Sequence, residues 1–323
     1  MFELIKSEYH KNNYDTVSAY SSIYLRLFSK IQDEMCSDVY FFTGIATKST
    51  DNIQALILLE TAASMGTCQF KEEIGTHLPQ EETIPSLIHF IYFKEKEFQK
   101  HHYACIKSAS VHMPTFDIIV HNDEEPTDNV WWEMVKLAQN VKVQYYKRPK
   151  CFDGFQIEHV QYSADIARLE ILFLYGGVYL DTDMLILKDF SSILNKGRII
   201  FSTESGTHDY INSILISVPC NMFIMHMLNA FKSFLRITDC WATHIREGVG
   251  TLLTIENIQR YRIEILDHTL FYGFRWLDTF KFNEIEKYIQ IEMFGIHLFD
   301  TIHHSVLVDN PYLNKLCAEY TTK

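Results

Sequence analysis

Apolar residues recur every three or four positions in the first part of the chain, which is the spacing of amphipathic helices. The pattern is clearest at 17–31 and 53–62, and no proline occurs before Pro79. Asp51 is well placed to cap the second of these helices. The sequence therefore predicts a helical segment over residues 1–80, which packs on the main domain or contacts a partner.

Beyond this segment the pattern changes to short apolar runs separated by polar loops. Residues 87–93, 116–121 and 141–145 are nearly continuous runs of aliphatic and aromatic side chains, typical of strands buried on both faces. Helical spacing fills the stretches between them, near 98–109 and 130–139. This alternation predicts a mainly parallel sheet with helices on its faces, in which ligands bind beyond the carboxyl ends of the strands.

Composition and charge narrow the class of protein. Of 323 residues, 47% are hydrophobic and 22% are charged, which indicates one large folded domain or two ordinary ones. The net charge of −12 and the lack of a basic tract make nucleic acid and anionic membranes poor partners. The longest uncharged stretch, 210–231, contains too many polar groups for a membrane span, so it predicts a buried strand and helix.

The seven cysteines are scattered and include no Cys-x-x-Cys pair. An odd number of separated cysteines is typical of reduced thiols, not of a disulfide framework or a zinc site. The first residues lack the basic and apolar regions of a secretory signal. We therefore expect a cytoplasmic protein without a transmembrane segment.

The most informative segment begins with a predicted helix. Ser163 is suited to cap it, which places Asp165 and Arg168 in its first turns. These two side chains are three residues apart, so they share one helical face. The glycine pair Gly176 and Gly177 can end the helix with a residue in the left-handed conformation. A charged helical face is therefore expected shortly before a strand.

Two aspartates follow the glycine pair, after the short apolar strand 178–180. Asp181 and Asp183 are two residues apart, so on a regular strand they would point the same way. Paired carboxylates in an acidic protein are unfavourable unless a cation is bound there, and oxygen ligands suit Mg²⁺ or Mn²⁺. An Asp-x-Asp alone is common on surface turns, but this order of elements favours an ion that bridges the carboxylates to a diphosphate.

The order of charged helix, glycine stop, apolar strand and Asp-Thr-Asp resembles the glycosyltransferases with a DXD sugar-nucleotide motif. The resemblance is to the group that includes yeast-type initiating mannosyltransferases, bacterial capsule and lipopolysaccharide transferases, and the catalytic domains of clostridial glucosylating toxins. It extends from about Ile84 to His304, with Tyr92 and Phe299 where the family has tryptophan. Residues 1–80 are not covered.

The resemblance implies an α/β, GT-A-like fold, with a mixed, mainly parallel sheet flanked by helices over residues 81–323. It implies a metal-dependent hexosyltransferase that uses Mn²⁺ or Mg²⁺ and a nucleotide-diphosphate sugar as donor. The acceptor is a glycan, a lipid-linked sugar or a protein, and transfer retains the anomeric configuration.

The resemblance also implies a role for individual residues. Asp183 is the direct metal ligand, Asp181 contacts the ion through water or binds the donor's ribose and sugar, and His297 is a candidate partner of metal or phosphate. Asp165 accepts hydrogen bonds from sugar hydroxyls, and Arg168 supplies a guanidinium near the donor. The implied catalytic residues are Asp165, Arg168, Asp181 and Asp183. The implied donor-binding residues are Phe90, Tyr92, Asp165, Arg168, Tyr179 and Asp181.

Two other functions stay open. A haloacid-dehalogenase-type phosphatase also places Asp-x-Asp after an apolar strand, but that family has threonine or valine where this chain has Leu185, and no Asp-Asp pair follows. A non-catalytic helical binding protein with a degenerate transferase domain would carry its function in residues 1–80. Release of nucleoside diphosphate, of inorganic phosphate or of neither distinguishes the three.

Adjacent histidines and tryptophans have simpler interpretations. Neighbouring histidines on a strand point to opposite faces, so 101–102 and 303–304 are interpreted as solvated or loop residues. Trp131 and Trp132 are interpreted as packing residues.

Overall fold

A computed structural model describes residues 83–321 except 95–96, 153–154, 205–209, 220, 236–242, 274–284, 288, 301–306 and 308–309. The chain divides into two units, Met1–Gln80 and Glu81–Lys323. All described residues belong to the second unit. The predicted helices of residues 1–80 and the cap at Asp51 lie outside the described residues and stay predictions.

Strands and helices alternate along the described chain. The strands are β1 (Leu87–Tyr92), β2 (Asp117–Asn122), β3 (Val141–Tyr145), β4 (Cys151–Phe152), β5 (Phe155–Gln156), β6 (Gly177–Leu180), β7 (Met184–Ile186), β8 (Ile199–Thr203), β9 (Tyr210–Ser217), β10 (Ile263–Leu266) and β11 (Gly295–His297). The α-helices are α1 (Lys100–His112), α2 (Val130–Lys136), α3 (Val160–Tyr175), α4 (Met222–Leu235), α5 (Thr243–Leu252), α6 (Ile255–Tyr261) and α7 (Pro311–Thr321).

Seven strands form the central sheet in the spatial order β10-β8-β9-β6-β1-β2-β3. The strands β6, β1, β2 and β3 run parallel, and β10 runs parallel to β8. The strand β9 runs antiparallel to both of its neighbours, β6 and β8. The prediction of a mixed, mainly parallel sheet flanked by helices is therefore confirmed, as is the strand-then-helix reading of residues 210–231.

The apolar runs that predict strands form the centre of the core. Ile88 and Phe90 on β1 and Ile118 and Val120 on β2 have no exposed surface. Such runs fit a parallel strand because helices cover the sheet and leave few positions in water. Among the described helices, none is long and apolar enough to span a membrane.

A second, two-stranded sheet is the part of the fold that matters most for the site. Its strands β7 and β11 pair antiparallel, with His297 opposite Met184. The strand β7 begins directly after Asp183, so the pairing brings the C-terminal part of the chain to the end of β6. A third small sheet, β4 with β5, is a separate hairpin.

Candidate active site

The helix α3 carries the first charged residues of the site, but it does not begin where the sequence suggests. Its N-cap is His159, and Ser163 lies inside the first turns. The Ser163 hydroxyl donates to the carbonyl of Pro149 at 2.7 Å, so it anchors a loop and does not cap the helix. The prediction of a cap at Ser163 is therefore wrong by one turn, although Asp165 and Arg168 do share a face.

The glycine pair ends α3 as predicted. Gly176 and Gly177 have φ of +63° and +96°, the region that favours glycine. A Cβ at Gly176 would lie 2.6 Å from Pro219, and one at Gly177 would lie 2.7 Å from the carbonyl oxygen of Leu87. Both positions therefore need glycine for conformation and for space, and together they set the start of β6.

Arg168 lies at the centre of a buried group that we call the arginine cluster, which consists of Asp165, Arg168, Tyr179, Asp181 and Asn212. Its Nη2 lies 3.0 Å from Asp165 Oδ1, and its Nη1 lies 3.2 Å from Asp181 Oδ1. Nη1 also donates to the backbone carbonyl of Asn212 at 2.7 Å. The guanidinium carbon is 4.4 Å from the centre of the Tyr179 ring. Arg168 thus connects α3 with the ends of β6 and β9.

Hydrogen bonds fix the two carboxylates of the arginine cluster. Asn212 Nδ2 donates to Asp165 Oδ1 at 2.7 Å, and the Tyr179 hydroxyl donates to Asp181 Oδ1 at 2.6 Å. Asn212 reaches Asp165 because β9 runs antiparallel, so that its early residues lie beside the carboxyl end of β6. No pattern in the sequence predicts the contact of Asn212 with Asp165.

Burial and charge act against each other at Arg168. Burial lowers the pKa of its guanidinium, but the carboxylates of Asp181 and Asp165 outweigh burial and raise that pKa above the ordinary value. Burial raises the pKa of Tyr179 well above its ordinary value, so its hydroxyl is a neutral donor to Asp181. The cluster therefore holds one permanent cation between two carboxylates.

Asp181, Asp183 and His297 form a second group, which we call the DXD cluster. One ligand atom from each lies within 4.8 Å of the others. His297 Nε2 is 3.1 Å from Asp183 Oδ1 and 3.6 Å from Asp181 Oδ2. The aspartates do not lie on a regular strand as expected, because β6 ends at Leu180 and the Met184 N–H donates to the Asp181 carbonyl across a turn. This turn directs both carboxylates to one imidazole.

The aspartates and the histidine of the DXD cluster shift one another's pKa. Burial lowers the pKa of His297, but Asp183 and Asp181 outweigh it and raise that pKa to about 10. At Asp183 burial has the opposite effect and raises the pKa. The charge of His297 and the hydrogen bond from the Asp300 N–H outweigh burial, so the pKa of Asp183 lies below its ordinary value. An imidazolium therefore offsets one of the two carboxylate charges.

These residues fit a divalent cation. Two carboxylates and one imidazole bring their ligand atoms within 4.8 Å of one another, and carboxylate oxygens suit Mg²⁺ or Mn²⁺. A cation would replace the charge of the imidazolium, because binding removes the proton from the ligating nitrogen. Asp181 exposes 25% of its side chain, the most of the three, so a ligand reaches the cluster on that side.

Three further residues adjoin the DXD cluster and were not predicted as site residues. The backbone N–H of Asp300 donates to Asp183 Oδ2 at 2.8 Å. The carboxylate of Asp300 lies 2.8 Å from His101 Nε2 and 3.5 Å from His102 Nε2. No spacing in the sequence links the start of α1 to a residue some 200 positions later, so the contact is visible only in the fold.

The interpretation of His101 and His102 as solvated or loop residues is wrong. Both are buried and lie in the first turn of α1. Adjacent residues of a helix are about 100° apart, so two neighbouring rings can reach one carboxylate. His303 and His304 lie outside the described residues.

The structure does not place the predicted base-binding rings at the site surface. Phe90 has no exposed surface and belongs to the hydrophobic core, so it presents no face to a nucleoside base. Tyr92 is 6% exposed and packs with Phe98 and Trp132, at ring distances of 5.1 and 5.5 Å. Continuous burial of β1 explains both positions. The packing role of Trp132 is confirmed, since it is fully buried.

Three solved structures similar to this chain are glycosyltransferases. The galactosyltransferase LgtC, solved with donor and acceptor sugar analogs, is 13% identical, with a TM-score of 0.45 over 72% of this chain and 95% of its own. The PaToxG glycosyltransferase is 16% identical, with a TM-score of 0.40 over 84% of this chain and 94% of its own. GlyE of Streptococcus pneumoniae TIGR4 is 12% identical, with a TM-score of 0.43 over 74% and 63%.

Two curated relatives match about half of this chain. The first, "Glucan organizing enzyme 1" of Cryptococcus neoformans var. grubii, is 25% identical over 50% of this chain and 47% of its own length. An uncharacterized glycosyltransferase of Acanthamoeba polyphaga mimivirus is 26% identical over 55% and 66%. The chain thus spans about half to two thirds of these relatives. Residues 99–200 match the family model described as the glycosyltransferase sugar-binding region containing the DXD motif.

Proposed function

We propose that this chain is a metal-dependent glycosyltransferase that moves a sugar from a nucleotide-diphosphate sugar to an acceptor. The observation that carries the proposal is the meeting of Asp181, Asp183 and His297 within 4.8 Å, on the side where Asp181 is open to solvent. The match of residues 99–200 to a DXD-containing family supports it, because that segment includes both aspartates.

The arginine cluster would bind the donor beside the ion. Arg168 is a permanent cation, so it offsets the carboxylates and favours a negatively charged diphosphate nearby. Asp165, held by Arg168 and Asn212, is placed to accept hydrogen bonds from sugar hydroxyls. Asp181 belongs to both clusters and thereby connects sugar binding with the metal site.

Asp181, Asp183 and His297 are the residues that would hold the ion. A bound Mn²⁺ or Mg²⁺ neutralises charge that develops on the leaving diphosphate. Asp183 orients its carboxylate by accepting from the backbone N–H of Asp300, and His297 is packed against Phe299 and Tyr272. These residues are therefore arranged in advance of ligand binding, which lowers the cost of reorganisation.

The finer parts of the proposal come from the sequence resemblance. They are retention of configuration and an acceptor that is a glycan, lipid-linked sugar or protein. We propose a cytoplasmic location from the scattered cysteines, which are typical of reduced thiols. We also propose residues 81–323 as the catalytic domain, with residues 1–80 acting in acceptor choice or solubility.

A donor screen tests the proposal. The full chain is incubated with nucleotide sugars and Mn²⁺, and nucleoside diphosphate and inorganic phosphate are measured separately, with EDTA as the metal-free arm. We expect nucleoside diphosphate release that stops with EDTA. Asp117→Asn is the matched control for an Asp→Asn substitution in the DXD cluster, because Asp117 lies at the start of β2 with 58% of its side chain exposed. Release of inorganic phosphate instead would support the phosphatase alternative, and no release would support a binding protein.

A further inference from the structure

The turn that follows β11 contains a strained residue. Phe299 has φ of +52°, in the left-handed region that bulky side chains rarely adopt. On either side of it, the Leu298 N–H donates to the Asp183 carbonyl at 2.9 Å and the Asp300 N–H donates to Asp183 Oδ2 at 2.8 Å. The conformation of Phe299 therefore lets two N–H groups in one turn reach the same aspartate.

Such strain persists only where the surroundings hold it in place. One support is the buried ring of Phe299, whose centre lies 4.2 Å from that of His297. The other is the Asp300 carboxylate, which contacts His101 and His102 on α1. Because α1 packs against β7, these histidines belong to a helix that already lies beside the DXD cluster.

Hydrogen bonds of His102 indicate a supporting role in preference to a second metal site. The Gln99 N–H donates to His102 Nδ1 at 2.9 Å, so Nδ1 is the acceptor. In the neutral ring the proton is then on Nε2, which faces Asp300 Oδ2. Burial, with His101, lowers the pKa of His102 and favours this neutral form. A ring that keeps its Nε2 proton does not ligate a cation through that atom, although His101, His102 and Asp300 lie close enough to surround one.

We propose that Asp300 is a positioning residue of the DXD cluster. His101 and His102 hold its carboxylate, and its backbone N–H fixes the Asp183 carboxylate so that Oδ1 faces His297. This inference rests on the proposed function, because it takes Asp183 as a metal ligand. It adds α1 to the elements that determine metal affinity, from residues that do not touch the ion.

The test measures Mn²⁺ affinity of the full chain without any donor, by electron paramagnetic resonance of free Mn²⁺. Asp300→Ala keeps the backbone N–H but removes the carboxylate that contacts His101 and His102, so the turn that presents the N–H to Asp183 loses its support. We expect Mn²⁺ binding to weaken about 10–100-fold, the usual effect of disturbing the partner of a metal ligand. Asp117→Ala is the control and is expected to leave the affinity unchanged. Thermal unfolding is recorded for each variant, so that a loss of affinity is separated from a loss of fold.

A double-variant comparison checks that the histidines act through Asp300. His102→Leu should weaken Mn²⁺ binding in the wild-type background and have no further effect with Asp300→Ala, because residues of one network are not additive. His102→Gln keeps a donor near the position of Nε2 and should retain more affinity than His102→Leu. A role in stability alone would not produce this pattern in the affinity.

The outcomes separate this inference from the proposed function. Equal Mn²⁺ affinity in the wild type and a folded Asp300→Ala variant would overturn the inference alone. Additive effects of the two substitutions, or two bound ions of which Asp300→Ala loses one, would also overturn it. A wild-type chain that binds no Mn²⁺ would overturn both. If Asp300→Ala lacks a cooperative melt, Asp300→Asn and the two His102 variants decide by the same comparison.

Discussion

The arginine cluster and the DXD cluster share Asp181, yet they are assembled from different parts of the chain. Most of the arginine cluster comes from residues 165–181, which form one helix, one glycine stop and one strand. The DXD cluster needs His297, and its support needs Asp300 and the start of α1. One cluster therefore depends on local structure, while the other depends on how distant segments pack. Substitutions in the two should fail in different ways.

The largest effect is expected in the DXD cluster. Asp183→Asn removes a charged ligand but keeps the size of the side chain and an oxygen acceptor. Nucleoside diphosphate release should fall about 10³-fold or more, because several kcal/mol of charge stabilisation are lost. The thermal unfolding midpoint is recorded as well, because the Asp183 carboxylate also pairs with the His297 imidazolium, and the loss of turnover should be far larger than a folded variant with a lower midpoint explains. Turnover at the wild-type rate in Mn²⁺ would show that Asp183 is not a metal ligand.

In the arginine cluster we expect a substitution mainly to lower the free energy of unfolding. Arg168→Met removes the guanidinium that lies between Asp165 and Asp181, and breaking a buried pair typically costs about 3–5 kcal/mol in the free energy of unfolding. Urea unfolding measures this loss. The control is Lys142→Met, which removes an ion pair that is 72% exposed on the lysine side, where about 0–1 kcal/mol is expected. Equal losses in both variants would mean that the arginine cluster is no more than a surface ion pair.

A smaller effect is expected from removing one hydrogen bond to Asp181, the residue that the two clusters share. Tyr179→Phe keeps the ring beside Arg168 and removes the hydroxyl that donates to Asp181. A hydrogen bond to a charged group contributes about 1.5–3 kcal/mol, so the free energy of unfolding should fall by that order. Tyr145→Phe, at a position that is 69% exposed on β3, is the control. If both variants unfold alike, the Tyr179 hydroxyl does not hold Asp181.

A buried histidine pair that contacts the glycine stop of α3 gives the free energy of unfolding a dependence on pH. His89 Nε2 donates to the Gly176 carbonyl at 3.0 Å, and its Nδ1 lies 3.1 Å from His121 Nε2. Burial lowers the pKa of His89 to about 4, and burial with the neighbouring His89 lowers that of His121 to about 3. Both rings are therefore neutral in the folded protein at pH 5–7.

The unfolded chain takes up protons that the folded chain does not, once the pH falls below the ordinary histidine value near 6.5. The contribution of the pair is therefore complete above pH 6.5 and decreases as the pH falls toward 4, by up to about 1.4 kcal/mol per pH unit for each histidine. The free energy of unfolding, measured in urea at pH values between 7 and 5, should change less steeply with pH for His121→Gln than for the wild type. Identical slopes would contradict the neutral, buried pair.

The sequence predicts best what depends on neighbouring residues. The strand at 141–145, the glycine stop and the shared face of Asp165 and Arg168 follow from periodicity and backbone preference, and the structure has them. A hydroxyl residue is a good cap, which predicts the start of α3 at Ser163, but a contact with Pro149 takes that hydroxyl. Local preference yields here to a tertiary hydrogen bond.

Contacts between distant segments are harder to predict from the sequence. The resemblance pointed to His297, but the support of Asp183 by Asp300 and by the first turn of α1 depends on the small sheet and on packing. The same reason explains Phe90, because motif position suggests a ligand contact while burial of β1 on both faces removes it from the surface. Side-chain direction in a covered sheet is set by helices elsewhere in the chain.

The separation of Asp183 and Asp300 along the chain has a consequence for synthesis of the protein. The N–H that orients Asp183 comes from a residue 117 positions later. At roughly 5–20 residues per second, a ribosome takes on the order of 6–23 s to add that stretch. During this interval the nascent chain has both aspartates but neither the imidazole nor the turn that complete the DXD cluster. In the metal-dependent enzyme that we propose, binding of the ion would therefore follow translation of the C-terminal segment.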